Sequence, residues 1–244
     1  MRQPGYTGPM RAHEIVLERI ESDLAAGRLS VGNRLPGERA LAEELGISRS
    51  SVREAIRVLE AMGMIRTAVG SGPRAGAIIA ADPAASMTTA LRLHVAAQTF
   101  PVQDVVRTRI LLETWAVDAA ARQEAVDLSD VEALLDEMDE PGVEPDRFHR
   151  LDAEMHAKLA AHAGNAVVRE MMASLRGSIH GYVMAAVPLL DDWKAVADNL
   201  RAEHRGIVAA VQAGHPSKAS RLVREHIEGF HGLTAETDSV TRRR

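Results

Sequence analysis

Leu35-Pro36-Gly37-Glu38-Arg39-Ala40-Leu41-Ala42-Glu43-Glu44-Leu45-Gly46-Ile47-Ser48-Arg49-Ser50-Ser51-Val52-Arg53-Glu54-Ala55-Ile56 is the stretch whose pattern decides the fold. It predicts a short helix from Glu38 to Leu45, stopped by Gly46. Ser48 is a good N-cap for a second helix reaching about Met62. Val52, Ile56 and Leu59 form the apolar stripe of that helix. Two short helices joined by a tight glycine-containing turn make a helix-turn-helix. Upstream, Val16, Ile20 and Leu24 stripe a helix from Arg11 to Ala26, ended by Gly27. Leu29 to Pro36 reads as extended or turning. Downstream, Gly63 ends the second helix. Met64–Val69 and Ala77-Ile78-Ile79 then form two strands around the turn Gly70-Ser71-Gly72-Pro73. Residues 11–80 are thus a winged helix-turn-helix, and residues 1–10 a loose arm.

Asp82-Pro83 marks a boundary. Beyond it only helical patterns occur, over roughly 84–98, 102–122, 128–139, 146–163, 165–187, 191–213 and 216–234. Pro101, Pro141, Pro145, Gly164, Pro188, Gly214 and Pro216 punctuate them. The reading is mainly α: a winged head, then an all-α antiparallel bundle of about seven helices over 84–234, and a disordered tail over 235–244.

Composition narrows the function. The chain has 244 residues and 46% apolar content, enough for a large core, but only 3% aromatics. It has no cysteine, which excludes disulfides and thiolate metal sites. No apolar run approaches the ~20 residues of a membrane span, and the first ten residues lack a signal-peptide core. A cytoplasmic protein with no membrane partner is expected. Residues 1–80 carry 11 Arg against 9 acidic groups, and the remainder 18 basic groups against 25 acidic. The sign of this asymmetry places nucleic acid on the head.

The start of a recognition helix touches bases, and its amides can hold phosphate. Here it reads Ser48-Arg49-Ser50-Ser51-Val52-Arg53. Arg49 and Arg53 are four apart and project together, opposite the apolar stripe. A guanidinium fork can read guanine, with ~1–3 kcal/mol of discrimination for a good pair. Ser50 and Ser51 suit phosphate or base edges. Arg39 would reach the DNA backbone or groove edge, and Ser71 and Gly72 would lie along the minor groove.

The second part holds a different constellation. Asp152 and His156 are four apart and share a helix face, and His204 and His226 lie in two later helices. Three imidazoles and a carboxylate suit a divalent transition metal, with coordination positions left over. The other histidines match no constellation. His149, three before Asp152, is the exception, either supporting the site or serving as an alternative ligand. His180 and Tyr182 are candidates to line a cavity.

Leu35–Ala42, Leu45-Gly46-Ile47-Ser48-Arg49 and Val52-Arg53-Glu54-Ala55 together resemble the N-terminal domain of GntR-type transcription regulators, over about residues 11–76. The family usually has Ser or another capping residue at the place of Gly37, and it often ends its wing with a Gly-Thr-Tyr-Val-like strand. Here the wing reads Gly72-Pro73-Arg74-Ala75-Gly76-Ala77-Ile78. Residues 84–232 resemble the FCD effector domain of the FadR-like branch. The carrying residues are Arg109 and Glu113, Phe148-His149 with Asp152 and His156, Gly164-Asn165, Glu203-His204 and Glu225-His226. This resemblance implies a bundle with a central cavity and, in many members, a Zn, Ni or Mn ion whose coordination a small carboxylate completes. Such an effector needs a cation besides the metal. Arg109 is the candidate clamp, and Asn165 a further donor.

The expected protein is a ligand-responsive regulator, a homodimer on near-palindromic double-stranded operator DNA. The expected sign is repression relieved by a small organic or sugar acid. Three rival readings exist: a direct metal sensor, a structural metal site, and a metal-dependent hydrolase. The last lacks an obvious nearby base or nucleophile.

Overall fold

A computed structural model describes residues 11–68, 76–80, 83–190 and 192–241, with no side-chain detail beyond 233. The arm, Ser71 and Gly72 lie outside the described residues. The chain divides into two compact units, residues 1–86 and 87–244.

The first unit contains α1 (Ala12–Ala25), α2 (Glu38–Leu45), α3 (Arg49–Ala61), β1 (Ile65–Ala68) and β2 (Gly76–Ile79). Gly46 ends α2 in the left-handed region, at φ +65°, where an L side chain would be strained. Ser48 then starts α3, its hydroxyl accepting from the Ser51 amide at 3.0 Å. Val16, Ile20, Leu41, Val52, Leu59 and Ile65 converge on one core. The strands pair antiparallel, with Ile65 opposite Ile79 and Ala68 opposite Gly76. The stretch 29–36 contributes more than a turn. Leu35 donates to the Ala77 carbonyl at 2.9 Å, and Asn33 accepts from the Ile79 amide at 2.8 Å. This fixes the wing's outer edge.

The second unit is built on α4 (Pro83–Ala96), α5 (Val102–Ala121), α6 (Ser129–Asp139), α7 (Pro145–Ala161), α8 (Ala166–Ala186), a 3-10 turn (Val187–Leu189), α9 (Trp193–Gln212) and α10 (Pro216–Thr241). The seven expected helices all form. Two boundaries differ from the sequence reading. The first unit extends to Ser86, past Asp82-Pro83, because the first turn of α4 belongs to it: the Ser86 hydroxyl donates to the Met62 carbonyl at 3.0 Å. At the other end, α10 continues to Thr241, so the expected disordered tail is largely helix. Residues 233–241 contain neither glycine nor proline, so no local signal stops the helix. No described helix is long and apolar enough to cross a membrane.

Phe148, Met155, Leu159, Ile207 and Val223 are among the residues that build the main core of the bundle. Trp193 packs edge-on against Phe148, at 5.5 Å between ring centroids. The α7, α9 and α10 stripes that line this core also carry the polar residues described next.

Candidate metal centre

Each candidate ligand occupies a place in an apolar stripe. On α7, Asp152 and His156 follow Phe148 and precede Leu159. On α9, His204 lies between Leu200 and Ile207. On α10, His226 lies between Val223 and Ile227. Core packing therefore turns all four inward, and all are buried. One ligand atom from each can be chosen so that all four lie within 4.8 Å of one another. Ligands on a single ion with bonds of ~2.1 Å are at most about 4.2 Å apart, so small side-chain adjustments suffice. The Nε2 atoms of His156 and His204 and the Nδ1 of His204 are buried without a hydrogen-bond partner. His204 Nε2 is 2.9 Å from Asp152 Oδ1, but the alignment is not that of a hydrogen bond. Buried polar atoms are rarely left unpaired, and imidazole nitrogens gathered around a carboxylate are what a cation would satisfy. The residues fit a divalent metal.

The outward nitrogens support this orientation. His156 Nδ1 lies 2.5 Å from Glu113 Oε2, and His226 Nδ1 lies 2.7 Å from Glu203 Oε2. Carboxylates that hold the far nitrogen fix the tautomer and ring direction of a ligating histidine. Burial, opposed by the Asp152 carboxylate, lowers the His204 pKa to about 4. Burial also lowers that of His226. Both imidazoles are therefore neutral at neutral pH, the form that binds metal.

A second layer of charge surrounds the cluster. Arg176, on α8, pairs with Asp152 and reaches Glu113 Oε1 at 3.3 Å. Arg109, on α5, reaches the same Glu113 oxygen at 3.1 Å. Burial alone would raise the Glu113 and Asp152 carboxyls, but neighbouring cations and imidazoles hold both below their usual range. Two buried carboxylates thus face two buried guanidiniums, and a divalent ion would leave an excess of positive charge. A cavity of about 490 Å³ opens beside the cluster, lined by Arg109, His149, Asp152, Arg176, His226 and Phe230, among others. His180 and Tyr182 also line it.

Arg109 therefore faces the cavity, whereas Asn165 does not. Asn165 is exposed and caps α8, its side-chain oxygen accepting from the Val167 and Val168 amides at 3.0 and 3.2 Å. Its oxygen is committed to the local turn, a favoured use of Asn before a helix, and the residue is not among those lining the cavity beside the cluster. Arg176 was not singled out from sequence. The available signal is its place between Met172, Leu175 and Ile179, a charge inside an apolar stripe.

In the first unit, Ser48, Arg49 and Ser50 are exposed at the start of α3, with Ser51 partly so. The three serine hydroxyls are linked, Ser48 Oγ lying 2.8 Å from each of the other two. Arg53 is held by Glu38, with contacts of 2.8 to 3.2 Å, and Arg39 pairs with Glu43 at 2.9 Å.

Comparison with known proteins agrees with both halves. Residues 13–74 match the model for bacterial regulatory proteins of the gntR family, and residues 104–229 match the FCD domain. The chain belongs to the GntR family, with an FCD C-terminal domain. It is 28% identical to the Glc operon transcriptional activator of Escherichia coli (strain K12), over 94% of this chain and 92% of that one. It is 26% identical to the transcriptional repressor NanR of Cronobacter sakazakii (strain ATCC BAA-894), over 88% and 82%. A solved GntR structure from Streptococcus agalactiae has the same fold, with a TM-score of 0.65, 24% identity, and coverage of 89% of this chain and 97% of that one. The two named relatives are transcription regulators, and this GntR-family chain is a transcription regulator.

Proposed function

We propose that this GntR-family regulator senses a small carboxylate through a divalent metal held by Asp152, His156, His204 and His226. Zn is the leading candidate, with Ni and Mn as alternatives. One observation carries the reading: the buried, unpartnered imidazole nitrogens of His156 and His204 gather at Asp152 and His226, which line a cavity that also holds two buried guanidiniums. When bound, the metal supplies a Lewis-acidic post for an effector oxygen. Arg109, joined by Arg176, neutralises the carboxylate and fixes its plane. The excess positive charge left by a divalent ion is what an anionic effector would cancel.

The rest of the proposal follows the fold. Two heads of a homodimer bind a near-palindromic operator in the cytoplasm. Arg49 and Arg53 lie in the major groove, and Ser48, Ser50 and Ser51 are at bases or phosphate. Arg39 is at the backbone, and Ser71 and Gly72 are along the minor groove. An effector that favours one arrangement of the bundle changes operator affinity by its differential binding. Repression relieved by an organic or sugar acid is the proposed sign. Relatives named as an activator and as a repressor show that the sign differs among similar chains.

Elemental analysis of the purified protein, with a thermal-shift screen of organic acids before and after chelation, tests this. About one metal per chain and acid-dependent stabilisation that chelation abolishes is the expected result. A chain free of metal, or acid binding indifferent to chelation, would overturn it. If metal alone switches operator affinity, the ion is the signal and the docking role falls.

A further inference from the structure

Arg53, on α3, is held by Glu38, the first residue of α2. The geometry of that pair decides what Arg53 has left to offer. A guanidinium carries five N–H groups in a planar fork, so it can bind one partner along its side and another at its end. Here Nε donates to the two Glu38 oxygens at 3.1 and 3.2 Å, and Nη2 donates to Oε2 at 2.8 Å. The carboxylate therefore occupies the side edge, made of Nε and Nη2. The end edge, made of Nη1 and the second N–H of Nη2, donates to none of the described residues. Two parallel N–H groups of that kind match the O6 and N7 acceptors of guanine.

The pair also joins two different helices. Arg39, by contrast, pairs with Glu43 one turn further along its own helix, through a single contact, and both side chains are largely exposed. The Glu38 side chain is 32% exposed and that of Arg53 52%. An ion pair this open adds little to folding. What it does fix is the direction of a long side chain, whose freedom is otherwise lost at the moment of binding. The Arg53 hydrogen bonds hold the Glu38 carboxyl below its usual range, with slight burial opposing. Arg49 and Arg57, one turn to either side of Arg53 on the same face, add to that pull. Glu38 is therefore ionised at neutral pH and stands opposite the middle of a three-arginine row.

Resting on the reading of α3 as the recognition helix, the geometry points to Glu38 as a positioning residue for base readout: it stays on the side edge of Arg53 when DNA is bound and aims the end edge at a guanine. Its repulsion of phosphate falls alike on every sequence, so what it changes is the base chosen at one position. A carboxylate that merely competed with DNA for Arg53 would act the other way. Its removal would tighten binding and leave the base preference intact.

The test begins with an operator selected from a random duplex library by the unsubstituted full-length protein. Affinity is then measured, at fixed salt, for every single-base variant of that site and for a scrambled duplex of equal length. Arg53→Met should lose about five- to a hundredfold of discrimination at one guanine of the site. Glu38→Ala should lose about two- to tenfold at that same guanine, the effect of ordering one long side chain on binding. Its preferences elsewhere and its melting temperature should be kept. Glu38→Gln, which returns one acceptor oxygen at the same reach, should recover part of the loss. Full discrimination at that guanine in both Glu38 variants, with or without tighter operator binding, overturns the role of Glu38 and leaves α3 as the reader. Preferences relaxed equally at every position, together with a lower melting temperature, overturn it too. If no base preference depends on Arg53, the underlying reading of Arg53 fails and takes this inference with it.

Discussion

The two units place their polar residues in opposite ways. In the head, the polar side chains of the recognition helix are exposed, tied only by surface contacts such as Arg53 with Glu38, and the core beneath is apolar. In the bundle, Arg109, Glu113, Asp152, Arg176, His156, His204 and His226 are themselves part of the interior. Surface groups can be removed with little effect on folding, because water replaces what is lost. Buried groups cannot, because each one removed strands a partner. In the head, recognition and stability are therefore separable. In the bundle the candidate metal residues are themselves part of the core.

The strongest challenge to this contrast is His204→Ala. Loss of a ligand should weaken metal retention by more than about 100-fold, exceeding what loss of an outer supporting group causes. Elemental analysis after dialysis reads it, and full metal content would remove His204 from the site. Next is Arg176→Met, which leaves Asp152 and Glu113 short of a buried counter-charge. It should cost about 3–5 kcal/mol, seen in thermal or denaturant unfolding. An unchanged midpoint would mean the buried network is not coupled to folding.

Acid should act on the bundle in a defined window. Burial places the His204 and His149 pKa values near 4 in the folded state, below the ~6.5 of an unfolded chain. The unfolded state then binds more protons between these values. Stability is full above about pH 6.5 and falls as the pH drops toward 4. The depressed Asp152 and Glu113 carboxyls push in the same direction at still lower pH. Unfolding curves of metal-stripped protein across pH 7 to 4 check this, and a flat profile would contradict the burial of neutral imidazoles.

On the head, Arg49→Ala should weaken specific operator binding by roughly 10- to 100-fold and leave metal content and melting temperature unchanged. Equal gel-shift affinity would move base reading away from the start of α3. The smallest effect is expected from Ser48→Ala, which deprives the Ser51 amide of its cap at about 1 kcal/mol, measured by denaturant unfolding.

The difference between the regions also explains which parts were legible in the sequence. The head is written in local signals: Gly46, Ser48 and the stripe Val52, Ile56, Leu59 fix two helices and the turn between them. The Asp/His cluster was legible because Asp152, His156, His204 and His226 each interrupt an apolar stripe. Arg176 interrupts one as well, but an arginine has several uses and no spacing ties it to residues 24 and 63 positions away. Asn165 shows the reverse case. A polar residue next to site residues in sequence was a helix cap, because the nearest unsatisfied amides were those of its own helix.

Periodicity and punctuation by themselves determined the winged head and the seven helices, because each depends on interactions within a few turns of chain, and residue type marked the four Asp/His candidates. Only the tertiary structure decided that the four candidate ligands share one buried centre, that Glu113 and Glu203 orient two of the imidazoles, and that Arg176 and His149 line the cavity. Those relations connect helices far apart in sequence, and only the packing of apolar stripes against one another sets which polar atoms meet.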